Sequence, residues 1–384
     1  MTDVMRNRRR IAVVGAGVIG LNVAWRLAER GVEVTVVDAG RPGAGTTSTS
    51  FAWVNASSKV DAREDYFRLN ALALAEHRAV GLASGDAGWF MPTGDVELTA
   101  GAAETADLVA KVGTLARRGY AARMLSGAEL EEIEPGTRIP HDGAAACYGE
   151  EGWADVGRYV AALLARARGA GARIVEADPV DEVLRAGGAA RGLRLASCAT
   201  LDVDAVVVAV GRWTAEFAAR LGVFLPLVAP EPSGSEALGL LAFVRPRGAP
   251  PRRLLHSSTV NWSPLAEGRA LLASDAGDAA VAADRSPDVA RKAAEALVRA
   301  AAAVNGLFAG ATIDELKLGI RALPRDGVTV CGWARQVGSL YVAVTHSGVT
   351  LSPLLGRLVA GEVMDDRENE LLAGFRPDRF GAAA

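Results

Sequence analysis

This 384-residue chain has little cysteine, histidine or aromatic content: three Cys, four His, and 5% Phe, Trp and Tyr together. Cys147, Cys198 and Cys331 lie far apart, with no Cys-x-x-Cys pair and no His at ligand spacing from a Cys. That removes the sequence marks of a disulfide scaffold, a zinc site or thiol catalysis. No metal is expected, and three thiols without a framework suit a reducing cytosol. There is no excess of basic charge either. With 42 basic and 45 acidic residues the formal net charge is −3, so nothing favours a nucleic-acid partner. No apolar run approaches the roughly 20 residues of a membrane span. One stretch resembles an export signal, since Arg8, Arg9 and Arg10 precede apolar residues from Ile11 to Leu27. Glycines at 15, 17 and 20 interrupt it, and no small-residue cleavage site follows. A cytoplasmic location is therefore expected.

Half of the chain is hydrophobic, ample for a core, and the length suits two domains. The first forty residues carry the clearest pattern. Residues 11–14 form a β-branched and apolar run, as in a strand buried on both faces. Gly15-Ala16-Gly17-Val18-Ile19-Gly20 follows, then a helical pattern that Gly31 stops, then a second strand over 32–37 ending in Asp38. Gly15 permits the tight turn, Gly17 lets a pyrophosphate approach the backbone, and Gly20 allows close helix–strand packing. The helix start, with Val18 and Ile19, offers unpaired N–H groups to phosphate. Asp38, with Ala39 beside it, lies about twenty residues on, where an acid bonds a ribose hydroxyl. This is an adenine-dinucleotide unit.

Two further segments separate a flavin from a nicotinamide dinucleotide. Residues 41–55 form a long loop dense in small hydroxyl residues, including Thr47, Thr49, Ser50 and Ala52. Such a loop can run along an extended cofactor, where a nicotinamide enzyme usually continues into a crossover helix. Near the other end, 340–344 reads as a buried strand leading into Thr345-His346-Ser347-Gly348-Val349-Thr350-Leu351. Ser352-Pro353 then reads as a helix start. A glycine turn feeding a helix N-terminus suits the negative charge of reduced flavin.

Four blocks together resemble the D-amino-acid oxidase, glycine oxidase and sarcosine oxidase superfamily of FAD enzymes: 13–38, 47–55, 201–213 (LDVDAVVVAVGRW) and 319–361. The likeness spans nearly the whole chain. It implies an α/β fold: a Rossmann-like FAD-binding domain of the glutathione-reductase type with an interleaved mixed α/β substrate domain. It implies that residues 205–211, with Gly211 and Trp213, approach the adenosine and pyrophosphate. Val180 would read adenine through its backbone, and Gly348 to Leu351 would lie against the pyrimidine edge. The attachment cysteine of sarcosine oxidases has no counterpart after Arg321, so FAD is expected to be non-covalent.

The FAD domain is expected over 8–85, 145–225 and 318–384, and the substrate domain over 86–144 and 226–317. Helices are expected at 61–84, 102–118, 156–170 and 287–303, with a capping box at Ser126-Gly127-Ala128-Glu129. Residues 88–91 and 95–99 read as a hairpin around Pro92-Thr93-Gly94. Strands are expected near 173–176, 238–244, 256–263 and 269–273.

Amine oxidation needs the α C–H aimed at the flavin, a neutral amine and a held carboxylate. Arg321, in Gly319-Ile320-Arg321-Ala322-Leu323-Pro324, matches the carboxylate-binding Arg that the resemblance implies, set against a structural ion pair, and a guanidinium suits the carboxylate task. A second Arg that glycine oxidase-like sequences carry around His346-Ser347-Gly348 is absent, which disfavours free glycine. Lys317 shares a strand face with Gly319 and is a candidate for electrostatic help to oxygen reduction, set against a surface Lys. His346 is a candidate ring-lining or proton-tuning residue, set against a satisfied core His. Phe51, Trp53, Asn55, His256 and Trp262 are the candidate pocket, set against plain core; His77 and His141 read as structural. The expected reaction converts a carboxylate-bearing amine, such as an N-substituted glycine, to glyoxylate and free amine, with O2 reduced to peroxide. The partners are thus a small amine and O2, and a homo-oligomer stays open. The alternatives are a quinone-linked D-amino-acid dehydrogenase, which the Thr49-Ser50-Phe51-Ala52 run resembles, and a flavin-binding assembly factor without turnover. An NAD-linked dehydrogenase leaves the C-terminal third unexplained.

Overall fold

The computed structural model describes residues 9–82 and 88–381. Arg8, the expected helix end at Ser84, the boundary at 85/86 and the last three residues lie outside these. The apolar runs of the N-terminal unit pair as expected. Strand Arg10–Val14 lies between Glu33–Val37 and Ala205–Val208 in a six-stranded sheet, with Ile11 opposite both Val34 and Ala205. Arg173–Val175 extends one edge, and Leu340–Val344 followed by antiparallel Val330–Trp333 extends the other. Side chains leave both faces, so both need cover. Helices Val18–Glu29, Val156–Gly169, Gly348–Asp365 and Glu64–Gly81 bury Leu21, Tyr159, Leu355 and Leu69 in one core. A small antiparallel sheet, Val180–Ala186, Ala189–Leu195 and Thr200–Asp202, covers the other face with Val183 and Leu193 against Val206, Val208 and Val342. The α/β fold with a Rossmann-like unit is as expected.

A second sheet has eight strands, in the order Thr312–Ile320, Leu238–Arg245, Ala270–Ala273, Asn261–Pro264, Leu254–His256, Asp95–Leu98, Ala145–Tyr148 and Ala122–Leu125. One face is covered by helices Asp275–Ala283 and Pro287–Val304, whose apolar stripe includes Val281, Ala294 and Leu297. The other face carries His256, Asp95 and Lys317. Ser126 and Glu129 form the expected capping box.

Three expectations change. The segments around Pro92 do not pair as a hairpin. Phe90–Met91 joins a small sheet with Gly152–Ala154 and Trp53–Val54, while Asp95–Leu98 enters the eight-stranded sheet. Between them Gly94, at φ +77°, redirects the chain and donates its N–H to the Glu151 carbonyl at 2.9 Å. The single strand expected over 256–263 is two strands. Ser257 closes the turn, its hydroxyl donating to the Val260 carbonyl at 2.7 Å. The last long helix begins at Gly348, so Pro353 lies inside it rather than at its start.

Candidate active site

At the carboxyl ends of strands Arg10–Val14 and Glu33–Val37 the backbone leaves a cavity of about 530 Å³. Glycine is required there for steric reasons. Gly15 sits at φ +104°, and a Cβ on it would fall 2.4 Å from the Ala209 carbonyl oxygen. A Cβ on Gly20 would fall 1.9 Å from the Gly15 carbonyl oxygen. Gly17 lines the cavity, and the Val18 N–H donates to Thr47 Oγ1 at 3.3 Å. Asp38 is held at the rim, accepting from the Ala16 N–H at 2.6 Å and the Gly40 N–H at 2.8 Å. An extended dinucleotide fits this arrangement: close backbone approach, a helix N-terminus for phosphate, and an acid for ribose.

Of the expected cofactor residues, Gly15, Gly17, Val18, Ile19, Asp38, Ala39, Thr47, Ser50, Val180, Gly211, Trp213, Gly348 and Val349 line the cavity. Gly20, Thr49, Ala52, Thr350 and Leu351 stand behind its wall. Thr49 donates to the Thr46 carbonyl, the Ala52 carbonyl accepts from Ala154, Thr350 donates to the Trp53 carbonyl, and Leu351 is core. Glu216, Phe217 and Arg220, on and just beyond helix Thr214–Ala219, close one end beside Val180. They escaped the sequence reading because no glycine or periodic signal marks that short helix.

The opposite end is formed by Thr345, His346 and the first residues of helix Gly348–Asp365. Pro353 has no N–H, so the Val349 carbonyl four residues back lacks its helical donor. Ser352 Oγ takes that place at 3.0 Å, and His77 Nε2 lies 2.8 Å away. The Trp89 indole donates to His77 Nδ1 at 3.3 Å, so Nε2 carries the hydrogen. Burial drives His77 down to about 4, the two carbonyl bonds opposing. His77 is structural, as expected. His346 opens onto the cavity. Partial desolvation by the surrounding protein, and then the charges of Lys59 and Arg321, lower it to about 4, so it is neutral at neutral pH.

Beyond that end lies an aromatic group. The His256 ring stacks on Trp53 at 3.8 Å and meets Phe51 edge-on at 5.7 Å. His256 Nδ1 is 2.9 Å from Asp95 Oδ1. The Trp53 indole donates to Glu151 Oε2 at 3.0 Å, and Glu151 Oε1 accepts from Ser57 N–H at 2.9 Å and Tyr120 OH at 2.5 Å. Burial, and then the charge of Asp95, raise Glu151 to about 7. Burial likewise raises Asp95, and His256 draws it back. Asp95, Tyr120 and Glu151 were not read from the sequence, since 161 residues separate Asp95 from its partner His256.

Asn55 is buried and its carbonyl oxygen accepts from the Ser58 hydroxyl at 2.6 Å, a local turn. Trp262 is paired with Leu255 on the helix-covered face and packs on Phe308 at 5.0 Å. Strand alternation puts His256 on the opposite face, so Trp262 is core and not pocket. Lys317 lies over the Phe243 ring at 4.8 Å, with Glu315 at 3.5 Å. The Arg321 guanidinium pairs with Asp278 and donates to the carbonyls of Glu236 at 3.0 Å and Leu238 at 2.6 Å. Among the described residues no cluster of His, Cys, Asp or Glu could hold a metal, and no helix is long and apolar enough to cross a membrane.

The family model described as FAD dependent oxidoreductase matches residues 10–362. The chain is 26% identical over 372 residues to glycine oxidase of Geobacillus kaustophilus, covering 93% of each. It is 26% identical over 232 residues to 4-methylaminobutanoate oxidase (formaldehyde-forming) of Paenarthrobacter nicotinovorans, covering 60% of this chain and 27% of that one. In structure it is similar to a Geobacillus kaustophilus glycine oxidase, with a TM-score of 0.81, 23% identity and coverage of 97% and 99%. Iminodiacetate oxidase from Chelativorans sp. BNC1 gives a TM-score of 0.79, 21% identity and coverage of 96% and 99%. The two structural likenesses carry the fold.

Proposed function

The chain belongs to the FAD dependent oxidoreductase family, and from that premise we propose that it oxidises a carboxylate-bearing amine. It is an FAD-dependent enzyme of the group acting on C–N bonds. The proposed substrate is a secondary amine such as an N-substituted glycine, giving glyoxylate and free amine, with O2 reduced to H2O2. The observation that carries the reading is one line of residues. The dinucleotide cavity runs to His346 and the N-terminus of helix Gly348–Asp365, and Thr350 of that helix holds the backbone of Trp53, which stacks on His256. When bound, FAD supplies the two-electron acceptor for the amine's α C–H. The two sequence relatives, a glycine oxidase and a methylaminobutanoate oxidase, also support a small amine bearing a carboxylate.

In this proposal the protein's part is to bind and orient. Arg321 holds the carboxylate. Asp278 and two carbonyls fix its guanidinium, and its Nε–H has no other partner among the described residues. Neutral His346 shapes the ring end. Lys317, on the face that Gly319 turns to Thr49, supplies positive charge for the oxygen step. FAD is proposed to be non-covalent, and no cysteine lines the cavity to form a thioether to it. The FAD domain takes the residues of the six-stranded sheet and the substrate domain those of the eight-stranded one. The joins are best placed near Tyr148 and Ile320, because Ala145–Tyr148 and Thr312–Ile320 pair within the second sheet. Cytoplasmic residence belongs to the same proposal.

The test is oxygen uptake and peroxide release in air with a panel of N-substituted glycines and D-amino acids. Peroxide and glyoxylate from an N-substituted glycine support the reading. Turnover with a quinone but no peroxide would replace it with the dehydrogenase alternative.

A further inference from the structure

We propose that His256, oriented by Asp95, is the base that takes the proton from the substrate's ammonium group before oxidation. This rests on the amine-oxidising reading above. Asp95 is 1% exposed at its side chain and 2.9 Å from His256 Nδ1. In the proposed state the ring hydrogen sits on Nδ1 and is donated to Asp95 Oδ1, which leaves Nε2 with a lone pair. Nε2 has no hydrogen-bond partner among the described residues, and 15% of the side chain is exposed. The ring is locked against Trp53 and Phe51, on the same loop that lines the cavity at Thr47 and Ser50. It is thus held between the cofactor loop and a buried acid, with one nitrogen open.

An alkylamine titrates near 10, as a lysine does, so at neutral pH its nitrogen carries a proton and has no lone pair to form C=N. In the proposed step an N–H bond of the ammonium breaks, and its electron pair stays on the amine nitrogen. The proton forms a new N–H bond at His256 Nε2, and the positive charge passes to the imidazole beside Asp95. Asp95 Oδ2 is buried without a hydrogen-bond partner. An ion so poorly satisfied gains most from a positive neighbour. His346, the imidazole that lines the cavity, has the opposite setting, since Lys59 and Arg321 oppose a second proton there. The charged groups around His256 are few. Glu97, its register partner, binds Lys111 Nζ and Tyr148 OH, each at 2.6 Å. Behind Trp53, Glu151 is bonded by Tyr120 and faces the charge of Lys59.

The test uses the holoenzyme and anaerobic flavin bleaching by N-methylglycine across pH, for wild type, His256→Gln and Asp95→Asn. General-base loss predicts at least a ~100-fold slower reduction for His256→Gln near neutral pH. The gap should close to under ~10-fold near pH 10, where about half of the amine in solution is already neutral. Asp95→Asn should follow the same pH pattern. A loss equal at both pH values, or no loss, overturns the proposal, because a wall residue would not distinguish them. Failure of wild type to bleach would count against the amine reading. Nitrogen NMR of the histidine rings reads the pair without substrate: hydrogen on Nδ1 and a bare Nε2 are expected, and hydrogen resident on Nε2 overturns the base.

Discussion

Arg321 is where the substrate's charge meets the protein in this account, and its replacement separates binding from chemistry. Arg321→Ala removes a charge-assisted bond of about 1.5–3 kcal/mol. KM for a carboxylate-bearing amine should rise about 10- to 100-fold, with a smaller change in kcat. Steady-state kinetics check this, and unchanged KM would remove Arg321 from the substrate site. His77 carries a different expectation, on stability. Burial holds it near 4 in the folded chain against an ordinary 6.5, so the unfolded chain binds the proton first as pH falls. The stability that neutral His77 contributes is complete above about pH 6.5 and drains away towards pH 4, by about 3 kcal/mol. Urea unfolding of wild type and His77→Gln over that window should show the difference between them shrinking by that order. A constant difference would contradict the assignment.

Helix Gly348–Asp365 shows how one element defeated a local sequence signal. Ser352-Pro353 reads as a helix start because proline suits the first turn. The chain instead starts the helix at Gly348 and lets Ser352 Oγ and His77 satisfy the carbonyl that Pro353 abandons. Ser352→Ala leaves that buried carbonyl with one donor and removes a 3.0 Å contact with Tyr159 OH. It should lower stability by about 1–3 kcal/mol, measured by chemical denaturation. Because Gly348 and Val349 line the cavity, flavin release on warming should come earlier too. The glycine turn at 15–20 was legible for the opposite reason. Its requirement is local and steric, as the 2.4 Å approach to Ala209 shows. Trp262 was misplaced because a tryptophan in a strand declares burial but not which face it takes.

At the scale of the whole molecule, the cofactor cradle was readable because one contiguous stretch builds most of it. The chemistry end was not, because it is assembled from two different sheets and a helix. Asp95 and His256 come from strands of the eight-stranded sheet, Trp53 from the small sheet, and Thr350 from the last helix. Their approach depends on sheet order, with Leu254–His256 running parallel beside Asp95–Leu98, which no spacing along the chain reveals. Together the two ends would bind FAD and deliver electrons to it from an amine. An absorbance spectrum of the purified protein, followed by anaerobic titration with N-substituted glycines and D-amino acids, tests this most directly. A yellow protein with flavin bands that bleach with one amine class and recover in air is expected. A colourless protein that takes up no added FAD would contradict it.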